Sequence, residues 1–134
     1  MYKNNQYHEK TTSIELEKYS KNMNKIKHAE NIMKNMYASR ITSNQIRIIL
    51  SIFVNIKNKI NLSATEQLND EYKATIQYAK AKVMYQISRT NSKKFYGDSY
   101  IGLMLDDIDT KTDYDNFIKY IEALVAFQKF YGKN

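Results

Sequence analysis

The feature that most constrains the fold is the near absence of helix breakers. The 134-residue chain has no proline, and the first of its three glycines is Gly97. Proline and glycine are the residues that most often end helices and mark turns. A long stretch without them, rich in Lys, Ile, Met and Tyr, favours helix. We therefore predict an all-α protein, a compact bundle of about five helices.

Length and composition limit the class of protein further. We predict a single helical-bundle domain at residues 13–134, preceded by a polar tail at residues 1–12 that we expect to be disordered. The chain has no cysteine, which excludes disulfides and thiolate metal sites. No apolar run approaches the roughly 20 residues of a membrane span. The first residues also lack the apolar stretch of a signal peptide, so we expect a cytoplasmic protein without membrane contact.

The net positive charge is concentrated in the N-terminal half. Residues 1–60 hold eleven Lys/Arg and four Asp/Glu, whereas residues 61–134 hold ten of each, so the first half carries the whole net charge of +7. A one-sided positive field favours a polyanionic partner, nucleic acid before membrane. The alternative is a sequence in which Lys and Asn are merely abundant and the lysines only solvate the helices. Charge alone does not decide between the two.

The apolar periodicity predicts where the helices lie. Helices are expected over residues 13–37, 43–58, 64–89 and 99–107, with a connector at 91–98 and a terminal helix that ends before Gly132 in a left-handed stop. Three capping boxes predict helix starts: Thr12 with Glu15, Ser63 with Glu66, and Thr112 with Asp115. The residues predicted to face the core are Ile14, Tyr19, Met23, Ile26, Met33 and Tyr37 in the first helix, Ile46, Ile49, Leu50, Phe53 and Ile60 in the second, Leu68, Tyr72, Ile76, Ala79, Val83 and Ile87 in the third, and Phe117, Ile118, Ile121, Leu124, Val125 and Tyr131 in the last.

The second helix has more apolar residues than one core-facing stripe requires. Ile48, Ile52, Val54 and Ile56 cover much of its remaining surface. A helix that is apolar nearly all round is buried on more than one side. In so small a domain this predicts a contact with another subunit.

No pattern of residues indicates an enzyme. His8 lies in the tail and His28 on the polar side of the first helix, too far apart for metal ligands. The glycines are not clustered, so there is no phosphate-binding loop. The acidic run at residues 106–109 lacks the glycine and the terminal glutamate of a calcium loop, and we interpret it as a helix end. We predict no catalytic residue, no metal and no cofactor.

A basic and aromatic stripe on the third helix indicates nucleic-acid binding. Tyr78, Lys82, Tyr85 and Arg89 are spaced four, three and four residues apart, which places them within about 60° of one another and away from the core face. Cations there can neutralise phosphates, and tyrosines can stack on bases or donate to phosphate. The alternative is that Tyr85 packs against a neighbouring helix and the basic residues only solvate.

The second helix carries a narrow polar strip, formed by Arg47, Ser51 and Asn55. Arg40 lies just before the start of this helix, where free backbone N–H groups can hold a phosphate. An arginine on such an apolar helix usually has an anionic partner, either a carboxylate or a phosphate.

Three blocks of sequence carry a resemblance to a known family. They are residues 41–50 (ITSNQIRIIL), 83–89 (VMYQISR) and 120–132 (YIEALVAFQKFYG). In their order and spacing they resemble the small, all-helical subunit of type III-A CRISPR–Cas (Csm) effector complexes, over about residues 23–134. The sequence departs from the family pattern at Ile87 and Ser88, which replace small residues, at Gln128, where an aromatic residue is usual, and at Lys133, which replaces a glycine.

The resemblance implies a function that the residues alone do not give. Such subunits are non-catalytic helical bundles that self-associate into a short filament along the crRNA–target RNA duplex, beside the backbone and large subunits. They stabilise bound target RNA through basic side chains and serve antiviral defence. The basic positions that match are Arg47 and Arg89. Together with the stripe and its neighbours, the predicted RNA-binding residues are Arg40, Arg47, Lys80, Lys82, Tyr85 and Arg89.

Two other interpretations remain open at this point. The first is a helical protein–protein interaction module that has no direct contact with RNA and uses its basic half for solubility. The second is a DNA-binding helical regulator. The second is disfavoured because the second helix is too apolar to lie in a DNA groove.

Overall fold

The computed structural model describes residues 19–132. Over this range the chain is all-α, with six α-helices, one π-helical turn and no strand, which confirms the predicted class. The helices are α1 (Lys25–Ile32), which continues into the π-helical turn Met33–Tyr37, then α2 (Ser43–Asn61), α3 (Asp70–Thr90), α4 (Lys93–Asp98), α5 (Ile101–Asp106) and α6 (Lys111–Tyr131). The short helix α4 occupies the segment predicted as a connector, so that prediction is wrong.

The first helix begins later than predicted. Residues 19–24 are not helical, and α1 begins at Lys25. Its N-cap is Asn24, whose side-chain oxygen accepts a hydrogen bond from the backbone N–H of Lys27 at 3.0 Å. This cap satisfies a backbone donor that a helix start leaves free. The predicted start at residue 13 and the capping box before it lie outside the described residues.

Two side chains of α1 face the opposite way to the prediction. Ile26, predicted in the core, is 46% exposed, and His28, predicted on the polar side, is fully buried. The His28 ring stacks on Tyr100 at 4.9 Å between centroids, and its Nε2 lies 2.8 Å from the backbone oxygen of Asp98. A π-helical turn contains more residues per turn than an α-helix. Extrapolating an α-helical stripe back from Tyr37 therefore gives the wrong face.

The second predicted helix is confirmed as α2. Its N-cap is Thr42, which forms a capping box with Gln45: the Thr42 Oγ1 accepts from the Gln45 N–H at 3.0 Å, and the Gln45 side chain accepts from the Thr42 N–H at 2.9 Å. The reciprocal bonds satisfy two backbone donors and fix the start. The buried residues of α2 are Ile46, Ile49, Phe53 and Ile60, and Leu50 is partly buried. The helix ends at Asn61, three residues beyond the predicted end at 58.

The third helix begins six residues later than the predicted start at 64, because the residues expected to cap it have other partners. The Ser63 hydroxyl donates to the backbone oxygen of Thr65 at 2.8 Å, within its own turn. The Glu66 carboxylate accepts from the backbone N–H of Thr112 at 2.8 Å and so caps α6 instead. The N-cap of α3 is Asn69. Four of the six residues predicted to face inward are buried within the helix, namely Ile76, Ala79, Val83 and Ile87. Tyr72 is partly buried, and Leu68 is buried but lies before the helix.

The N-cap of the terminal helix α6 is Thr110, two residues before the predicted capping residue Thr112. Its capping box pairs Thr110 with Asp113 rather than Thr112 with Asp115. The stop at Gly132 is not left-handed, since its φ is −81°. Glycine is required there by close approach: a Cβ would lie 2.5 Å from the backbone oxygen of Ala38.

The core forms where α6 packs against α1, the π-helical turn and α2. Helices α3, α4 and α5 complete the bundle, with α3 against α2. The largest fully buried aromatic side chains are Tyr114, Tyr120, Phe53 and Phe95. Gln128, the residue that departs from the family pattern, is 1% exposed, and its amide donates to the backbone oxygens of Ala38 (3.1 Å) and Ile41 (3.0 Å). Within residues 19–132, no helix combines the length and the apolar character needed to cross a membrane.

Candidate nucleic-acid interface

Helices α2 and α3 pack side by side and present a surface with very few acidic groups. The sequence contains no Asp or Glu from residue 31 to residue 65, or from residue 72 to residue 97. All of α2, and all of α3 after its first turn, therefore lack a carboxylate. The two acidic residues of α3, Asp70 and Glu71, lie in its first turn, where they interact favourably with the helix dipole.

The predicted stripe of α3 lies on the outer surface of the molecule. Tyr78 is 66% exposed and Tyr85 is 61% exposed, and the side chains of Lys82 and Arg89 are exposed as well. The stripe therefore lies outside the core of the bundle.

Each tyrosine of the stripe has a cation over its ring. The Lys82 Nζ lies 4.9 Å from the centroid of the Tyr78 ring, and the Arg89 Cζ lies 5.8 Å from the centroid of the Tyr85 ring. Within about 6 Å a cation is attracted by the negative face of an aromatic ring. The contacts hold both cations close to the helix and leave their charge available to an anion.

A groove runs between α3 and α2 beside this stripe. Its volume is about 330 Å³. It is lined by Ile48 and Ile52 of α2 and by Tyr78, Ala81, Lys82, Tyr85 and Gln86 of α3. Sequence reasoning did not identify this groove, although the signal was present: Ile48 and Ile52 are four residues apart on α2 and lie outside its core stripe.

The polar strip of α2 also lies on the surface. Arg47, Ser51 and Asn55 are all exposed. The Ser51 hydroxyl donates to the backbone oxygen of Ile48 at 2.7 Å, within the helix. Arg40 is exposed next to a second cleft of about 310 Å³, at the junction of the π-helical turn with the end of α3. The structure thus places Arg40 and the α3 stripe at different sites on one bundle.

The predicted cations differ in how they are paired. Lys80 forms an ion pair with Asp106 at 2.9 Å and lies on the other side of α3 from Lys82. The remaining four are different: within residues 19–132, no ion pair joins Arg40, Arg47, Lys82 or Arg89 to a carboxylate. These four are the cations best placed to meet an external anion.

The acidic run at residues 106–109 is a helix end, as predicted, and its carboxylates bind side chains of the bundle. Asp106 is the last residue of α5, and the hydrogen bond from Lys80 lowers the pKa of its carboxyl. Asp107 accepts from the Tyr19 hydroxyl. Asp109 pairs with Lys73 at 3.1 Å, and the hydrogen bond from Lys73 lowers its pKa. No group of three or more His, Cys, Asp or Glu in the described part of the chain is arranged to hold a metal ion.

Comparison with known proteins identifies the family. The family model described as Csm2 Type III-A matches residues 18–134. The chain belongs to the Csm2 family. Curated relatives with the name CRISPR system Cms protein Csm2 are similar over about two thirds of the chain. The Enterococcus italicus protein is 27% identical over 95 residues, which is 68% of this chain and 68% of that protein.

Two further Csm2 proteins show the same level of similarity. The Mycobacterium tuberculosis protein is 28% identical over 92 residues, or 67% of this chain and 74% of the relative. The Streptococcus thermophilus protein is 30% identical over 93 residues, or 69% of this chain and 74% of the relative. The resemblance found in the three sequence blocks is therefore confirmed. As a Csm2 protein, the chain is a subunit of the type III-A CRISPR effector complex.

Proposed function

We propose that this Csm2 subunit binds along the crRNA–target RNA duplex and stabilises bound target RNA through basic side chains of α2 and α3. The observation that carries the proposal is the group of exposed cations that have no carboxylate partner within residues 19–132, on a surface that has almost no acidic residues. The lysines that form ion pairs in the described structure have their carboxylate partners at the end of α4, at the end of α5 or between α5 and α6: Lys21, Lys73, Lys80 and Lys94. A surface whose charged groups are nearly all positive favours a polyanionic partner.

Arg47 and Arg89 are the central residues of the proposal. Both are exposed and both occupy positions that match the family resemblance. A guanidinium group presents several donors in a fixed plane, so it binds phosphate oxygens in pairs. Lys82 adds a point charge, and Tyr85 offers a hydroxyl that can donate to a phosphate. Such contacts neutralise the backbone and carry little sequence information, so we expect sequence-tolerant binding that weakens with salt.

Self-association is the second part of the proposal. We expect copies of this subunit to stack into a short filament and to contact the other Csm subunits, so that the whole assembly serves antiviral defence. Large apolar side chains remain on the surface away from the groove: Leu62 is 77% exposed, Phe130 is 78% exposed and Val54 is 45% exposed. Contact with another copy would remove this apolar surface from water, which is favourable.

We further propose that the subunit is not an enzyme. The acidic residues that could be suspected of chemistry have structural partners, as described for Asp106, Asp107 and Asp109. The remaining alternative is an interaction module that never contacts RNA. It predicts that removing the exposed cations leaves RNA binding by the complex unchanged.

The test is to replace Arg47 and Arg89 with alanine, singly and together, and to rebuild the complex with each variant. Each lost phosphate contact should lower the slope of log affinity against log salt by about 0.7–0.9. It should also weaken binding of target RNA by roughly 1.5–3 kcal/mol. Both side chains are exposed, so the free energy of unfolding should change by no more than about 0.5 kcal/mol.

Lys119→Ala is the matched control, because it removes an exposed cation from α6, away from the α2–α3 surface. It should leave the affinity and the salt slope near wild type. If Arg47→Ala and Arg89→Ala behave like this control while the complex assembles normally, the interaction-module alternative is correct. Early thermal unfolding of either arginine variant would show a structural role instead.

A further inference from the structure

The α2–α3 surface has two features that binding to a duplex does not use. Tyr78 and Tyr85 present exposed aromatic rings. These rings line the groove together with the apolar side chains of Ile48, Ile52 and Ala81. A double helix offers phosphates to such a surface, while its bases are paired and stacked inside. Cations therefore suit a duplex, but exposed rings beside an apolar groove suit bases that are not paired.

The two tyrosine rings are positioned so that a flat ligand can stack on them. One face of each ring is covered by a cation, Lys82 for Tyr78 and Arg89 for Tyr85, and the rings stay exposed otherwise. The cation limits the motion of the ring, which reduces the entropy lost on binding. The same cation remains within reach of the phosphate that belongs to a stacked base. Tyr85 is seven residues after Tyr78, a rise of about 10.5 Å along α3, so each ring serves a different base of one strand.

The charge of the groove favours a nucleic acid over a protein segment. Its one charged lining residue in the described structure is Lys82, and no carboxylate lines it. Gln86 adds an amide that can bond to the edge of a base. A volume of about 330 Å³ is within the usual range for small flat ligands.

We propose that the groove between α2 and α3 binds unpaired nucleotides of RNA, with bases stacked on Tyr78 and Tyr85 and their phosphates at Lys82 and Arg89. This rests on the proposed function, because it assumes that the surface faces RNA. It adds that the subunit distinguishes single-stranded RNA from a duplex. The contact is sequence-tolerant, since every base has an aromatic face.

The experiment uses the variant Tyr78→Leu, with Tyr78→Phe as the matched control, because Tyr78 lines the groove and has no part in the phosphate contacts of the proposed function. Leucine keeps an apolar side chain and removes the ring, whereas phenylalanine keeps the ring and removes the hydroxyl. The probes are a short single-stranded RNA and the same RNA in a fully paired, blunt-ended duplex. We expect the leucine variant to bind the single strand about 5- to 150-fold more weakly. Its binding of the duplex should stay at wild type, and the phenylalanine variant should bind both RNAs normally.

A fluorescence measurement tests whether the RNA contacts the groove. The chain has no tryptophan, so Tyr78→Trp introduces a single indole at the groove. We expect its fluorescence to be quenched by the single-stranded probe and unaffected by the duplex. Lack of quenching overturns the proposal, as does an equal loss of affinity for both RNAs in the leucine variant. Loss of self-association in the leucine variant, with RNA binding unchanged, also overturns it, because the groove would then be a protein contact.

The same measurements separate this inference from the function on which it rests. Arg47→Ala is outside the groove lining and tests phosphate contacts only. If Arg47→Ala reduces the salt slope and the leucine variant has no effect, the surface binds RNA but the stacking proposal is wrong. If neither variant alters binding of any RNA, the proposed function itself is wrong.

Discussion

At the scale of single residues, the most consequential side chain is Gln128. Its amide joins α6 to the segment between the π-helical turn and α2, with bonds to the backbone oxygens of Ala38 and Ile41 and a 2.7 Å bond from the Ser43 hydroxyl. We predict that Gln128→Leu lowers the free energy of unfolding by about 2–4 kcal/mol, because it leaves buried acceptors without donors. Urea denaturation measures this.

Gln77→Leu is the matched control for that prediction. The Gln77 amide makes one bond, to Asp106 at 3.0 Å, on an exposed surface, so its loss should cost about 0.5 kcal/mol or less. Equal destabilisation by the two variants would contradict the structural role of Gln128.

Single residues also show what the sequence could and could not predict. The outward direction of Tyr78 and Tyr85 followed from helical spacing, because α3 is a regular helix. Gln128 was identified as unusual, but its partners are 85 to 90 residues away along the chain, and local patterns carry no information on such pairs. The burial of His28 was missed for a related reason, since the π-helical turn changed the face that periodicity predicts.

At the scale of elements, the segment between α2 and α3 (residues 62–69) is joined by hydrogen bonds to the start of α6. The backbone N–H of Leu68 donates to the Asp109 oxygen at 2.8 Å, and the N–H of Lys111 donates to the Glu66 oxygen at 2.9 Å. The Glu66 carboxylate adds the bond from Thr112. The spacing of Ser63 and Glu66 predicts a capping box for α3, but spacing cannot show that Glu66 caps a helix distant in sequence.

The hydrogen bonds of the Glu66 carboxylate lead to a prediction about how stability depends on pH. Hydrogen bonds from Thr112 lower the pKa of the Glu66 carboxyl below its usual 4.5. A lowered pKa means that the folded state favours the ionised carboxylate. The contribution of Glu66 to the free energy of unfolding is therefore complete at neutral pH. That stabilisation is lost as the pH falls below 4.5 and through the lowered value. We expect Glu66→Gln to melt earlier than wild type at neutral pH, and the difference to shrink as the pH falls through the lowered pKa and Glu66 itself becomes uncharged.

Thermal melts across the acid range, with Glu122→Gln as control, check the prediction. Glu122 is exposed on α6 and has no hydrogen bond in the described structure, so its substitution should shift the curve little at any pH. A difference between Glu66→Gln and wild type that persists unchanged to low pH would show that the charge of Glu66 is not the cause.

At the scale of the whole molecule, positive and negative groups are separated. The α2–α3 surface has almost no carboxylates, while acidic residues collect at the end of α5 and the start of α6. We predict that replacing Asp106, Asp107 and Asp109 with asparagine leaves target-RNA cleavage by the rebuilt complex at its wild-type rate. Asp106 and Asp109 form ion pairs with Lys80 and Lys73, and Asp107 accepts a hydrogen bond from Tyr19. Surface ion pairs contribute about 0–1 kcal/mol each.

Cleavage assays on complexes of equal assembly and equal RNA occupancy are the measurement. A slower cleavage step in such complexes would mean that the acidic run takes part in chemistry. If cleavage is slower because the complex assembles poorly, the cause is lost stability from the missing ion pairs. Thermal melts of the free variant identify that case.

The one-sided charge of the bundle also connects self-association with RNA. Two copies whose α2–α3 surfaces come together repel each other over a range of about 8 Å at physiological salt. A polyanion between them cancels that repulsion, so a copy next to an RNA-bound neighbour should bind more tightly than one next to bare protein. We therefore expect cooperative loading along the strand, in which RNA acts as the template that brings identical subunits into register.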